Sequence, residues 1–196
     1  MSSKIRTITL KNTISSVNCY LINTNGSFIL IDTGFTNTRA GIEKELDDAG
    51  VTSDNLKLIL LTHGDFDHCG NFHYLSKKFN IKIAMHRGDL GMVEHGDMFW
   101  NRTRSNFFMK TLAGMLFKLD KADRLKPALL LENNQNLKEY GLDASVVHIP
   151  GHSKGSIGIL TSDGDLFCGD FFYNGKKPVL NPIMDDPANV SKNLNQ

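Results

Sequence analysis

The run Leu58-Ile59-Leu60-Leu61-Thr62 leads without a break into His63-Gly64-Asp65-Phe66-Asp67-His68. A short apolar run that ends in a turn reads as a buried strand, and α/β folds place their chemistry in the loops at the C-terminal ends of such strands. Here the loop carries two imidazoles and two carboxylates within one hexapeptide. Imidazole suits zinc, iron and manganese, while carboxylate adds the anionic charge that harder divalent ions favour. The bland reading is a polar surface loop that binds nothing, and two later segments count against it.

One is His148-Ile149-Pro150-Gly151-His152-Ser153-Lys154-Gly155-Ser156, set between the apolar pair Val146-Val147 and the run Ile157-Gly158-Ile159-Leu160. The other is Asp165-Leu166-Phe167-Cys168-Gly169-Asp170, where a short apolar run delivers an aspartate into a turn. Three strand ends therefore converge on residues of metal-ligand type.

Periodicity places strands near 4–10, 17–23, 27–32, 57–62, 81–85, 145–149, 156–161 and 165–169. Helices are expected near 37–49, where Ile42, Leu46 and Ala49 share a face and Gly50 is the C-cap, near 71–79, and from 187 onward. Asp186 before Pro187 reads as an N-cap followed by a first helical position. With 196 residues and 40% hydrophobic content, a single domain over 1–196 can bury about 70% of its unfolded surface.

The stretch at about 88–133 stands out as a helical, lid-like insertion. Met98-Phe99-Trp100, Phe107-Phe108-Met109 and Leu112-Ala113-Gly114-Met115-Leu116-Phe117 are interleaved there with Arg102, Arg104, Lys110, Lys118, Lys121, Arg124 and Lys126. Such a segment either presents apolar and cationic groups to an anionic, partly apolar substrate or a membrane surface, or buries an amphipathic face on the domain, and the burial is the simpler reading. His95 and Trp100 are candidates for substrate contact, His148 for a hydrogen bond behind the ligands, and His73 and His86 for structural or solvated positions.

Lys and Arg number 22 against 21 acidic residues, a net charge of +1, which supplies no field to gather nucleic acid. No apolar run of about 18 residues exists to cross a membrane, and Met1–Thr7 lacks the apolar stretch of a signal peptide. A cytoplasmic protein is expected, with a small-molecule substrate as partner and homo-oligomerisation left open. Three cysteines, Cys19, Cys69 and Cys168, read as small buried hydrophobes in a reducing compartment rather than a disulfide framework, with a thiolate-ligand or redox role as the alternative for Cys69 and Cys168 beside the ligand motifs.

Together these motifs resemble the metallo-β-lactamase-fold hydrolase superfamily, with its His-x-His-x-Asp-His, Pro-Gly-His and Gly-Asp signatures. Asn18-Cys19-Tyr20-Leu21-Ile22 and Ile29-Leu30-Ile31-Asp32-Thr33-Gly34 look like its opening strands and Asp-Thr-Gly turn. The resemblance implies an α/β fold, an αββα sandwich of two mixed β-sheets with helices on the outer faces, similar in architecture to a single-domain glyoxalase II. It also implies two divalent metal ions, with zinc preferred and iron or manganese as alternatives. His63, Asp65 and His152 would hold the first, Asp67 and His68 the second, and Asp170 would bridge them, while Asp32 would support the loops.

Two departures from the family pattern stand out. Asp65 replaces a histidine, as a carboxylate does in the flavodiiron branch, and the family's last histidine has no counterpart, since all seven histidines lie at or before His152. The chain is thus expected to be C-terminally shortened, with an incomplete second site. The implied activity is hydrolysis of an ester, thioester, lactone or phosphodiester by water activated on the metal, with Asp67 orienting or deprotonating that water. The alternatives are an iron-dependent oxidoreductase of the same fold, a sulfur dioxygenase or a flavodiiron-like module, and a non-catalytic ligand-binding descendant.

Overall fold

The computed structural model describes residues 4–13, 15–103, 119–174 and 176–193. Side chains on a strand alternate between faces, and that alternation sorts the core into two layers. In β3 (Ser27–Ile31) and β4 (Leu56–Leu60), Ile29, Ile31, Leu58 and Leu60 point to one side, while Leu30 and Ile59 point to the other.

The large sheet has six strands in sequential order: β1 (Lys4–Lys11), β2 (Ser16–Thr24), β3, β4, β5 (Ile83–His86) and β6 (Leu129–Leu131). The first three are antiparallel neighbours and the remainder run parallel to β3, so the sheet is mixed. A second sheet contains β7 (Ala144–His148), β8 (Ile157–Thr161) and β9 (Leu166–Phe167), all antiparallel. Ala144, Val146, Ile157, Ile159 and Phe167 meet the inward face of the large sheet, which makes the two sheets a sandwich. Each fully buried Leu or Ile in this layer stabilises the fold by about 1.5–3 kcal/mol.

Helices cover the outside. On α1 (Arg39–Asp48), Ile42 and Leu46 stand one turn apart and are both buried against the outward face of the large sheet. The helix ends as anticipated at Gly50, whose φ of +74° suits glycine and whose N–H reaches the Asp47 carbonyl at 2.9 Å. On α3 (Phe72–Phe79), Phe72, Leu75 and Phe79 occupy the same layer. The one-turn helix α2 (Phe66–Cys69) precedes α3, and α4 (Leu90–His95) follows β5. On the other side, α5 (Pro187–Asn193) is capped by Asp186, whose Oδ1 accepts from Ala188 and Asn189 at 3.1 and 3.3 Å. Val190 packs there with Ile149 and Phe171, beside Val147 of β7.

Some of this differs from the sequence reading. The second sheet is antiparallel in its described strands rather than mixed. The stretch at 88–133 contributes α4 and then β6, whose Leu129–Leu131 pairs with Ala84–His86, so its end belongs to the main sheet. Residues 104–118, which carry most of its apolar triplets, lie outside the described residues. A two-stranded hairpin of β10 (Phe172–Asn174) and β11 (Pro178–Leu180) was not anticipated, because its exposed, mixed residues give no alternating pattern.

Parallel pairing sets the ends of β3, β4 and β5 along one edge. The β7–β8 loop joins them there, because Ile157 donates to the Thr62 carbonyl at 2.9 Å.

Candidate metal centre

Asp32 organises this edge. It follows β3 with a φ of +61°, a left-handed conformation that aspartate tolerates better than bulkier residues. The turn aims its carboxylate at the loop after β4: Oδ1 accepts from the Thr62 amide at 2.8 Å, while Oδ2 accepts from Thr62 Oγ1 at 2.7 Å and faces His68 Nδ1 at 2.8 Å. Because the Thr62 hydroxyl gives its proton to Asp32, its oxygen receives the Nδ1–H of His63, 3.0 Å away. One buried carboxylate thus fixes both imidazoles with Nδ1 protonated and turns both Nε2 atoms inward.

Those Nε2 atoms converge with Asp170, delivered by the turn after β9. His63, His68 and Asp170 offer ligand atoms that all lie within 4.8 Å of one another. His68 Nε2 is 3.1 Å from Asp170 Oδ1, yet among the described residues neither it nor His63 Nε2, both buried, has a hydrogen-bond partner. Buried polar atoms left unpaired are costly. Two unpaired imidazole nitrogens beside a carboxylate fit a divalent ion that would satisfy all three.

His63, Asp65 and His152 form a second group of the same compactness, but its atoms are already engaged. His152 Nδ1 is 2.7 Å from the Ile183 carbonyl, and its Nε2 is 3.0 Å from Asp65 Oδ2. Arg102, buried, places Nη2 2.8 Å from each oxygen of Asp65 and 3.3 Å from His152 Nε2. Asp67, assigned by resemblance to the second ion, stands at the rim with Oδ2 3.9 Å from His68 Nε2 and belongs to neither compact group. Asp170 lies between the groups, with Oδ2 4.0 Å from His152 Nε2.

The electrostatics follow this geometry. Burial works against ionisation of Asp65, but the Arg102 guanidinium and His152 override it and hold the carboxyl far below its usual range. Burial likewise opposes the charge on Asp170, and His68 overrides it in the same direction. Burial alone would depress His68, yet Asp32, Asp67 and Asp170 raise it well above the ordinary histidine value. His63 goes the other way, lowered by burial and by its neighbour His68. Asp67 is raised, chiefly by burial, and is the more basic carboxylate of the site.

Two positions escaped the sequence reading. Asp89, buried just before α4, accepts from Gly64 N at 3.1 Å and Gly155 N at 2.7 Å through its two oxygens and faces Ser153 Oγ at 2.5 Å, tying the His63 loop to the His152 loop. Nothing in its sequence context sets it apart. Arg102 appeared only as one cation among several. The extra negative charge at Asp65 called for a counter-ion, but the sequence did not say which cation supplies it.

The other candidates stand apart from the ligands. His95 and Trp100 stack on each other with centroids 3.7 Å apart at an exposed position. His148 reaches the Lys154 carbonyl at 2.9 Å and stacks on His86, so it supports the loop carrying His152. Cys19 and Cys69 are buried, and burial raises the thiols of all three cysteines. This matches their reading as small apolar groups. A cavity of about 390 Å³ opens beside the His152 loop, lined by Thr103, His148, Pro150, Lys154, Asp185 and Asn189 among others. Among the described residues, no helix is long and apolar enough to cross a membrane.

Comparison with known proteins agrees with this architecture. Residues 12–195 match the metallo-beta-lactamase superfamily. A probable metallo-hydrolase of Methanocaldococcus jannaschii is 30% identical over 158 residues, covering 81% of this chain and 68% of that protein. An acyl-coenzyme A thioesterase of Bos taurus is 25% identical over 171 residues, covering 81% of this chain and 59% of the relative. A hydroxyacylglutathione hydrolase of Haemophilus influenzae is 27% identical over 125 residues, covering 62% and 52%. The chain thus spans little more than half the length of the latter two. Among solved structures, the FEZ-1 metallo-beta-lactamase of Legionella gormanii superposes with a TM-score of 0.67 at 15% identity, covering 97% of this chain and 69% of the other.

Proposed function

This chain belongs to the metallo-beta-lactamase superfamily, and we propose that it is a metal-dependent hydrolase of acyl thioesters. The observation that carries the reading is the inward-facing pair His63 Nε2 and His68 Nε2, without a hydrogen-bond partner among the described residues, beside Asp170. The thioester class is favoured by the relatives named as an acyl-coenzyme A thioesterase and a hydroxyacylglutathione hydrolase.

His63, His68 and Asp170 would hold the ion. When bound, it lowers the pKa of water and polarises a carbonyl oxygen. The chain's own groups do the rest. Asp32 keeps both imidazoles in the tautomer that binds metal, and its hydrogen bond strengthens His68 as a donor. Asp67, with its raised pKa, takes the proton from the attacking water and returns it toward the leaving thiol. Asp89 holds the loops of His63 and His152 in register. Zinc suits the two-imidazole, one-carboxylate set. The iron reading drew on Asp65 as a hard ligand, and Asp65 is turned onto Arg102 instead.

The test is hydrolysis of a panel of acyl-coenzyme A and acylglutathione thioesters, followed by thiol release, before and after chelation and after zinc is restored. Metal-dependent turnover is expected, and Asp67→Asn should lower kcat by about 10²–10⁴ while metal content is kept. Thiol release that survives complete metal removal would refute the reading.

A further inference from the structure

In the group of His63, Asp65 and His152, one nitrogen of Arg102 stands where an ion would draw the ligands together. Nη2 is equidistant, at 2.8 Å, from both oxygens of Asp65 and is 3.3 Å from His152 Nε2. The pair is buried, with side chains only 6% and 5% exposed. A buried guanidinium that loses its carboxylate is strongly disfavoured, so this arrangement is not readily given up.

The two groups differ in what they leave unsatisfied. Asp65 and His152 direct their oxygens and Nε2 onto each other and onto Arg102, and His152 Nδ1 faces the Ile183 carbonyl. In the other group, His63 Nε2 and His68 Nε2 are buried without a hydrogen-bond partner among the described residues. His63 is shared, and its free nitrogen can serve only one ion at short range. A divalent ion on Asp65 and His152 would also have to lie beside a fixed positive charge or expel it.

We infer that this chain binds a single metal ion, on His63, His68 and Asp170, and that the Arg102 guanidinium takes the place of a first-site ion by neutralising Asp65 and holding His152. The inference rests on the metal-dependent reading above and narrows it to a mononuclear centre. The substitution of aspartate for histidine at position 65 and the buried arginine form one unit: a carboxylate pairs with a guanidinium, whereas an imidazole there would not. Arg102 is therefore a positioning residue that sets the charge and nuclearity of the centre.

The test loads the protein with excess zinc, removes free ion by gel filtration and counts zinc per chain by plasma mass spectrometry, with cobalt loading and its visible absorption as a second readout. Wild type should retain about one ion per chain, and Arg102→Ala and Arg102→Met should rise toward two as Asp65 and His152 are released. Circular dichroism confirms that each variant is folded, and the wild-type count stands even if neither is. His68→Ala should lose the ion while His152→Ala keeps it. Two ions in the wild type would overturn the inference and leave the metal-dependent reading intact, whereas none would overturn both. One ion in wild type and in both folded Arg102 variants, or loss of the ion in His152→Ala but not in His68→Ala, would refute the role assigned to Arg102.

Discussion

Replacing Asp32 by Asn tests how the centre is organised while nearly preserving shape. Asparagine tolerates the φ of +61°, and its carbonyl can still accept from the Thr62 amide, now 2.8 Å from Oδ1. The amide nitrogen would then stand where Oδ2 faces Thr62 Oγ1 at 2.7 Å and His68 Nδ1 at 2.8 Å. Donor would meet donor at both. The Thr62 hydroxyl can rotate, but His68 must move its proton from Nδ1 to Nε2, the atom that would bind the ion. Loss of such a supporting partner lowers metal affinity about 10–100-fold, or about 1.4–2.7 kcal/mol. The metal-free fold should lose about 1.5–3 kcal/mol, the net worth of one hydrogen bond to a charged group. Competition with a chromophoric chelator reads the first quantity and denaturant unfolding of the metal-free protein the second. An Asp32→Asn affinity within twofold of wild type would show that Asp32 does not hold the ligand imidazoles in their binding form.

Three further outcomes are expected. Because Asp32, Asp67 and Asp170 hold a proton on His68 in the metal-free protein, zinc binding should release it, so affinity rises with pH across the neutral range; a pH-independent affinity contradicts this. Burial and the neighbouring His148 lower His86 to about 4, and its Nδ1 accepts from Gly88 N at 3.1 Å, so the unfolded chain binds the extra proton between about pH 6.5 and 4 and stability falls as pH drops through that window. His86→Gln should flatten that slope by about 1–3 kcal/mol in denaturant titrations of the metal-free protein, and an unchanged slope counts against it. At Gly155 a Cβ would lie 2.5 Å from Asp89 N and 2.7 Å from Asp89 Cγ, so Gly155→Ala should cost about 1–3 kcal/mol in unfolding free energy and part the two ligand loops; a wild-type midpoint with full metal content opposes this.

What could be read from the sequence is what is encoded locally. The apolar runs 58–62 and 28–31 are set by burial on both faces of a pleated sheet, and Gly50 and Asp186 are caps whose chemistry sits within a few residues. The ligand-type residues were legible because they follow three strand ends, with His63, Asp65 and His68 after β4, His152 after β7 and Asp170 after β9, and the structure gathers them at one edge. Partners chosen across the fold were not legible. Arg102 meets Asp65 from 37 positions away and Asp89 meets Gly155 from 66, and neither pairing leaves a periodic mark. Strand β6 went unseen because three leucines, Leu129–Leu131, gain strand character only by pairing beside β5.

The most direct measurement is anomalous diffraction at the zinc edge from crystals of the zinc-loaded protein. One peak per chain is expected, within bonding distance of His63 Nε2, His68 Nε2 and an Asp170 oxygen, with Arg102 still seated on Asp65. A peak on Asp65 and His152 with Arg102 displaced, or no bound zinc under saturating metal, would contradict it.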